Sequence, residues 1–160
     1  MGVPRIIFTR FANAQSPKLT PWRAHRRRVV GATAETGRNT LNPERLAVVW
    51  QLVSANNREL ARSADIFDDF QDAVISATEA VEYVASDGSV VLTSDERQGS
   101  YGWYLSILGQ PAVVCARWYV AERERRHAVE LTLKSLPLAE IARGARQYVD
   151  SQSVSHRSLV

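Results

Sequence analysis

Two stretches of the chain, "VVWQLVSANNRELARSADIF" at 48–67 and "YGWYLSILGQPAVVCARWYV" at 101–120, each read as a pair of strands folded about a turn. In the first, Trp50, Leu52 and Ser54 alternate with Gln51 and Val53. Asparagine in the turn Ala55-Asn56-Asn57-Arg58 tolerates a positive φ, and Leu60 to Ser63 returns. In the second, Trp103, Leu105 and Ile107 alternate with Tyr104, Ser106 and Leu108, Gly109-Gln110-Pro111 turns the chain, and "AVVCARWY" returns. A helix follows each pair. Asp68 or Asp69 can cap "DDFQDAVISATEAVEYVA", in which Phe70, Ala73, Val74, Ala77, Val81 and Val84 recur on one face and Asp87-Gly88 ends the run. The second helix is expected to open near Ala121 and run to about Ser135, and "SVVLTS" at 89–94 is a strand of β-branched residues. A two-stranded hairpin cannot cover its own apolar face, so two such units are expected to share one sheet. The expected fold class is therefore α+β: an antiparallel sheet from two tandem ββ(β)α units, 46–88 and 89–136, with both helices on one face. After Pro137, "LAEIARGARQYVD" is expected to form a short C-terminal helix over 137–150, and residues 151–160 a frayed tail.

Residues 1–45 read differently. They show no sustained periodicity, hold Pro4, Pro17, Pro21 and Pro43, and carry the cluster "RAHRRR" at 23–28, with a weakly signalled strand at Arg28 to Thr33. The expectation is a largely disordered basic arm. Charge is segregated along the chain: nine Lys/Arg against two Glu in 1–46, three against ten acids in 47–100, and eight against five in 101–160. Such asymmetry points to an arm that meets nucleic acid or another acidic surface; the plainer alternative is an arm that is solvated or lies on its own acidic middle.

At the repeated stretches the chain resembles the YegP-like proteins, small domains of unknown function. The matching positions are Trp50, Leu52, Asn56, Leu60, Ser63, Phe67 and Ala73 in the first unit, and Trp103, Leu105, Gly109, Val113, Ala116, Tyr119 and Ala128 in the second. The likeness covers roughly 47–136. It implies a β-β-β-α-β unit, paired either as a dimer of single units or as a tandem, with terminal strands exchanged and "SVVLTS" as the shared strand. Asn57 stands in place of the expected turn glycine, the small-residue stretch of the helix reads Ile75-Ser76-Ala77, and residues 1–45 and 137–160 have no equivalent. The resemblance brings no activity with it.

Nor do the residues point to one. The single cysteine, Cys115, reads as a small buried thiol on a strand, and His127 as a solvated helix residue. Asp68, Asp69 and Asp72 suit the first turn of a helix, where they favour its dipole, more than a metal site. Phosphate-cradling glycine loops, HExxH and zinc-ligand spacings do not occur. No cofactor and no catalytic residue is assigned, and the chain reads as cytoplasmic, unexported and non-enzymatic, with no apolar run near the roughly 20 residues of a membrane span. Trp50 and Trp103 are in phase with Leu52 and Leu105 and are expected in the core. Trp118 and Tyr119 are consecutive on a strand and must point to opposite faces, which leaves Trp118 on the uncovered face with Tyr104, near Arg62 and Arg117. Aromatics interleaved with arginines on an open sheet suit single-stranded nucleic acid. Arg26, Arg27, Arg28, Arg62, Tyr104, Arg117 and Trp118 are thus the expected contacts to nucleic acid or a nucleoprotein. A homo-oligomer interface, or a docked helix, would cover the same surface.

Overall fold

The computed structural model describes residues 2–31 and 46–148. It is an α+β fold with one seven-stranded sheet: β1 (Arg5–Phe11), β2 (Ala47–Val53), β3 (Glu59–Ser63), β4 (Gly88–Asp95), β5 (Ser100–Ile107), β6 (Gln110–Cys115) and β7 (Glu140–Gln147), in the order β4-β5-β6-β3-β2-β1-β7. Among the described residues three α-helices accompany it, α1 (Thr20–Val30), α2 (Phe70–Asp87) and α3 (Glu122–Ser135), with 3-10 turns at Pro17–Leu19 and Leu136–Leu138.

The order strand, strand, helix occurs twice, as β2-β3-α2 and β5-β6-α3. Asp69 caps α2 by accepting from the Gln71 N–H at 2.6 Å, and Asn57 takes the positive φ of the first turn, at 64°. In the second hairpin Leu108 and Gly109, with φ of 53° and 79°, make the turn, one residue earlier than expected. The backbone N–H of Trp50 donates to Ser63 Oγ (3.2 Å), and that of Trp103 to Cys115 Sγ (3.5 Å). Backbone pairs Val48–Phe67 and Tyr101–Tyr119 lie two residues before each tryptophan. Ser63 thus lies 13 residues after the tryptophan it accepts from, and Cys115 12 residues after its own, so the first hairpin is one residue longer than the second.

Register sorts the two faces. Phe8, Trp50, Leu52, Trp103, Leu105 and Cys115 share one face, where α2 docks through Phe8–Phe70 edge contact and a Trp50 Nε1–H to Ser76 Oγ bond. The second helix, α3, lies on that face too, with Arg125 over the ring of Tyr101 and donating to the Thr93 carbonyl at 2.9 Å. Phe11, Ala47, Val49 and Ile66 form a second apolar cluster on the other face, under Leu19 and Trp22.

Three expectations are corrected. Residues 5–30 are not a disordered arm: β1 lies inside the sheet, hydrogen-bonded to β2 and β7, with Ile6 and Phe8 fully buried, and α1 packs on the sheet. The strand expected at Arg28 to Thr33 is the end of α1 as far as Val30, capped by Gly31, and its last two residues, with the rest of 32–45, lie outside the described residues. The C-terminal helix expected over 137–150 is instead a 3-10 turn followed by β7, which pairs parallel with β1, so the sheet is mixed rather than purely antiparallel. Gly144 weakens the segment as a helix, and β1 supplies an edge that no local pattern announces. The tail expected at 151–160 lies outside the described residues.

Candidate anion-binding cleft

Helix α1 begins where the chain's own chemistry allows. Pro21 sits in its first turn, needing no N–H there, and Gly31 with φ of 91° ends it, its N–H bonded to the Arg27 carbonyl at 2.8 Å. Trp22, Arg26, Val29 and Val30 face the sheet at helical spacing; Arg26 and Val29 are buried. Between α1 and strands β3 and β6 lies a cleft of about 500 Å³ bordered by Thr20, Trp22, Arg23, Arg26, Arg27 and Arg62.

Its arginines are held in place. The Arg62 guanidinium donates to both carboxylate oxygens of Glu59 (2.8 and 3.2 Å) and to the Ala116 carbonyl (3.3 Å), and stacks on the Trp22 ring with 4.3 Å to the centroid. Arg26 meets Asp65 at 3.5 Å, and Arg23 donates to the Ala14 carbonyl. Fixed guanidinium groups around a partly enclosed space favour an anion, because the cost of ordering them is already met by the fold and water screens them less there.

The expected contacts separate into groups. Arg26, Arg27 and Arg62 come together at this cleft. Arg28 stands apart: it reaches the β4–β5 turn, donating to Asp95 (2.9 and 3.1 Å), Gln98 (2.6 Å) and Ser100 (3.2 Å), and lies 4.1 Å above the Trp118 ring. The arginine holds the Asp95 carboxyl below its ordinary pKa by hydrogen bonding. Trp118 is therefore not on an open face. It is half-buried between Arg28 and Gly102, where an added Cβ would stand 3.0 Å from the ring, and its indole nitrogen is buried. Half-buried Tyr104 shares that face, cross-strand from Val114, and exposed Arg117 donates to the Glu59 carbonyl at 3.1 Å. Sequence reasoning missed Trp22 and Arg23 by treating the arm as unstructured. The signal was present in Pro21 followed by Trp22, Val29 and Val30.

A cysteine–histidine pair also emerges, without nucleophilic character. His25 Nε2 lies 2.7 Å from the Cys115 carbonyl and 4.0 Å from its Sγ. A carbonyl only accepts, so Nε2 carries the proton and cannot take one from the thiol. Burial lowers the His25 pKa and raises that of Cys115, the reverse of a thiolate–imidazolium pair. Among the described residues no three His, Cys, Asp or Glu side chains are grouped to hold a metal ion, and no helix is long and apolar enough to cross a membrane.

The fold is similar to that of yegP from E. coli, a protein of unknown function solved by NMR in solution, with a TM-score of 0.52 over 94% of this chain and 100% of that one. Sequence identity is 7%, so the likeness is one of fold alone. No family model and no curated protein matches the chain.

Proposed function

We propose that the protein is a non-enzymatic binding module that associates with nucleic acid or a nucleoprotein through the basic side of α1 and the cleft beneath it. The observation that carries the reading is the convergence of Arg23, Arg26, Arg27 and Arg62 with Trp22 around one cleft. Guanidinium groups recognise phosphate oxygens, and a neighbouring indole offers a base a surface to stack on. Within this reading the two strand-strand-helix segments are diverged copies of one unit. The matched tryptophan-to-Ser63 and tryptophan-to-Cys115 bonds support it. Fluorescence anisotropy with single-stranded DNA and RNA between ~50 and ~200 mM salt tests the function. Log affinity falls linearly with log salt, by about 0.7 per phosphate contact on single strands, so Arg23→Gln with Arg27→Gln makes the slope shallower by about 1.4. Absence of binding at ~50 mM salt defeats the reading.

One observation favours a second reading, self-association. Strand β4 is an eight-residue sheet edge on which Leu92 is 58% exposed. An apolar edge of that length is a template for a strand of another copy. Light scattering that shows a dimer in the parent and a monomer in Leu92→Lys supports it; a monomeric parent excludes it.

A further inference from the structure

We infer that the cleft under α1 takes a terminal phosphate, the phosphomonoester of a nucleotide that is either free or the end of a strand. The inference rests on the proposed nucleic-acid reading and narrows it to one group. Shape is the first argument. A strand interior runs through an open groove of several nucleotides, whereas about 500 Å³ between one helix and two strands is the size of a small-ligand site and accommodates roughly one nucleotide. Charge is the second. A phosphodiester carries a single negative charge, but a phosphomonoester approaches two at neutral pH, with three acceptor oxygens. Four guanidinium-bearing side chains border the cleft, and two carboxylates, Asp65 at 3.5 Å from Arg26 and Glu59 at 2.8 Å from Arg62, offset part of their charge. Arg26 is only 8% exposed, so its charge acts from the wall of the cleft in a weakly screened position.

Geometry is the third argument. The Arg62 plane is fixed by Nε and Nη2, which donate to Glu59 and to the Ala116 carbonyl, and on its flat side by Trp22, so that among the described interactions Nη1 is the donor left for a phosphate oxygen and is already oriented. Trp22 borders the same space and, with Arg62 on one face of its ring, offers the rest of the indole to the base attached to that phosphate. Thr20, at the start of α1, adds a hydroxyl donor.

The test uses the full chain and one ten-nucleotide DNA sequence with a 5′-phosphate, a 3′-phosphate or hydroxyls at both ends, together with adenosine 5′-monophosphate, adenosine and inorganic phosphate, each by calorimetry at ~100 mM salt. Expected is at least a tenfold preference for one phosphorylated end over the hydroxyl strand, and binding of the mononucleotide but not of adenosine. Arg62→Ala removes the preference. Because losing Arg62 also frees Trp22 and Glu59, Arg23→Gln, exposed and bonded only to a loop carbonyl among the interactions described, serves as the second variant and reduces the preference severalfold with an unchanged melting temperature. Equal affinity for phosphorylated and hydroxyl strands overturns the inference and leaves the nucleic-acid reading standing. Binding of the mononucleotide without any strand upholds the inference for a free nucleotide and overturns the wider reading. Inorganic phosphate binding as tightly as the mononucleotide overturns the part assigned to the base, and silence from every probe overturns both.

Discussion

Leu108 holds a left-handed backbone, with φ of 53°, while its side chain is 65% exposed and gains little from packing. For an L residue that conformation costs about 1–2 kcal/mol, and asparagine tolerates it best after glycine. The first hairpin meets the same demand with Asn57 at 64°. Leu108→Asn is therefore expected to stabilise the protein by ~0.5–1 kcal/mol, read as a raised urea midpoint at constant m-value. His25 makes an opposite kind of statement. Its pKa is lowered chiefly by burial, then by Arg62 and Arg28, against the partial support of the Cys115 carbonyl and Glu59. In the unfolded chain it titrates near 6.5, so below that pH the unfolded state binds the extra proton first. The His25 contribution is complete above pH 6.5 and is lost as pH falls toward the folded value. In His25→Gln, which keeps a side-chain N–H for the Cys115 carbonyl, the loss of stability between pH 7 and 5.5 should be smaller than in the parent by urea titration at each pH.

At the scale of elements, what was legible in the sequence was what rests on neighbouring residues. Helix α3 begins and ends within a residue of its expected bounds, α2 is capped by one of the two expected aspartates, and both hairpins form. Strands β1 and β7 were not legible, because their partners are distant in sequence: β1 pairs with β2 and, in parallel across 135 residues, with β7, Arg5 opposite Glu140, and neither has a turn signal to announce it. The same ignorance hid the site. With α1 read as a disordered arm, its arginines could be named but not brought to Trp22 and Arg62, and Trp118 looked open when α1 in fact covers it through Arg28. A disordered arm could be removed at little cost. The structure reverses that expectation: Phe8 is fully buried against Phe70, and losing β1 would strip β7 of its partner. Phe8→Ala should cost about 3–5 kcal/mol in chemical denaturation. A change below ~1 kcal/mol would mean that β1 is not in the core.

The whole molecule is two-sided. Helix α1 carries four arginines and no acid, α2 carries Asp72, Glu79, Glu82 and Asp87 and no base, and the sheet keeps these two helices on opposite faces, so among the described residues they present opposite charge to opposite sides. Sequence blocks of opposite sign cannot show this, since whether they neutralise or separate depends on which face each helix takes. The sheet also ties the two ends of the described chain together, because β7 closes on β1 while α2 packs on strands from both halves, β2 and β5 among them. Each hairpin would lose part of its cover if the other left, because α2 packs on both, and α1 rests on residues from both halves, Arg62 and Trp118. Unfolding should therefore be a single cooperative step. Trp50 and Trp103 report the core and Trp22 and Trp118 the α1 contacts, so variants that keep only one pair, the other replaced by Phe, make the comparison. Both fluorescence signals and far-ultraviolet circular dichroism should share one urea midpoint. An earlier midpoint for the Trp22 and Trp118 signal would show α1 leaving first, as an arm would, and would place the cleft on a part of the fold that opens on its own.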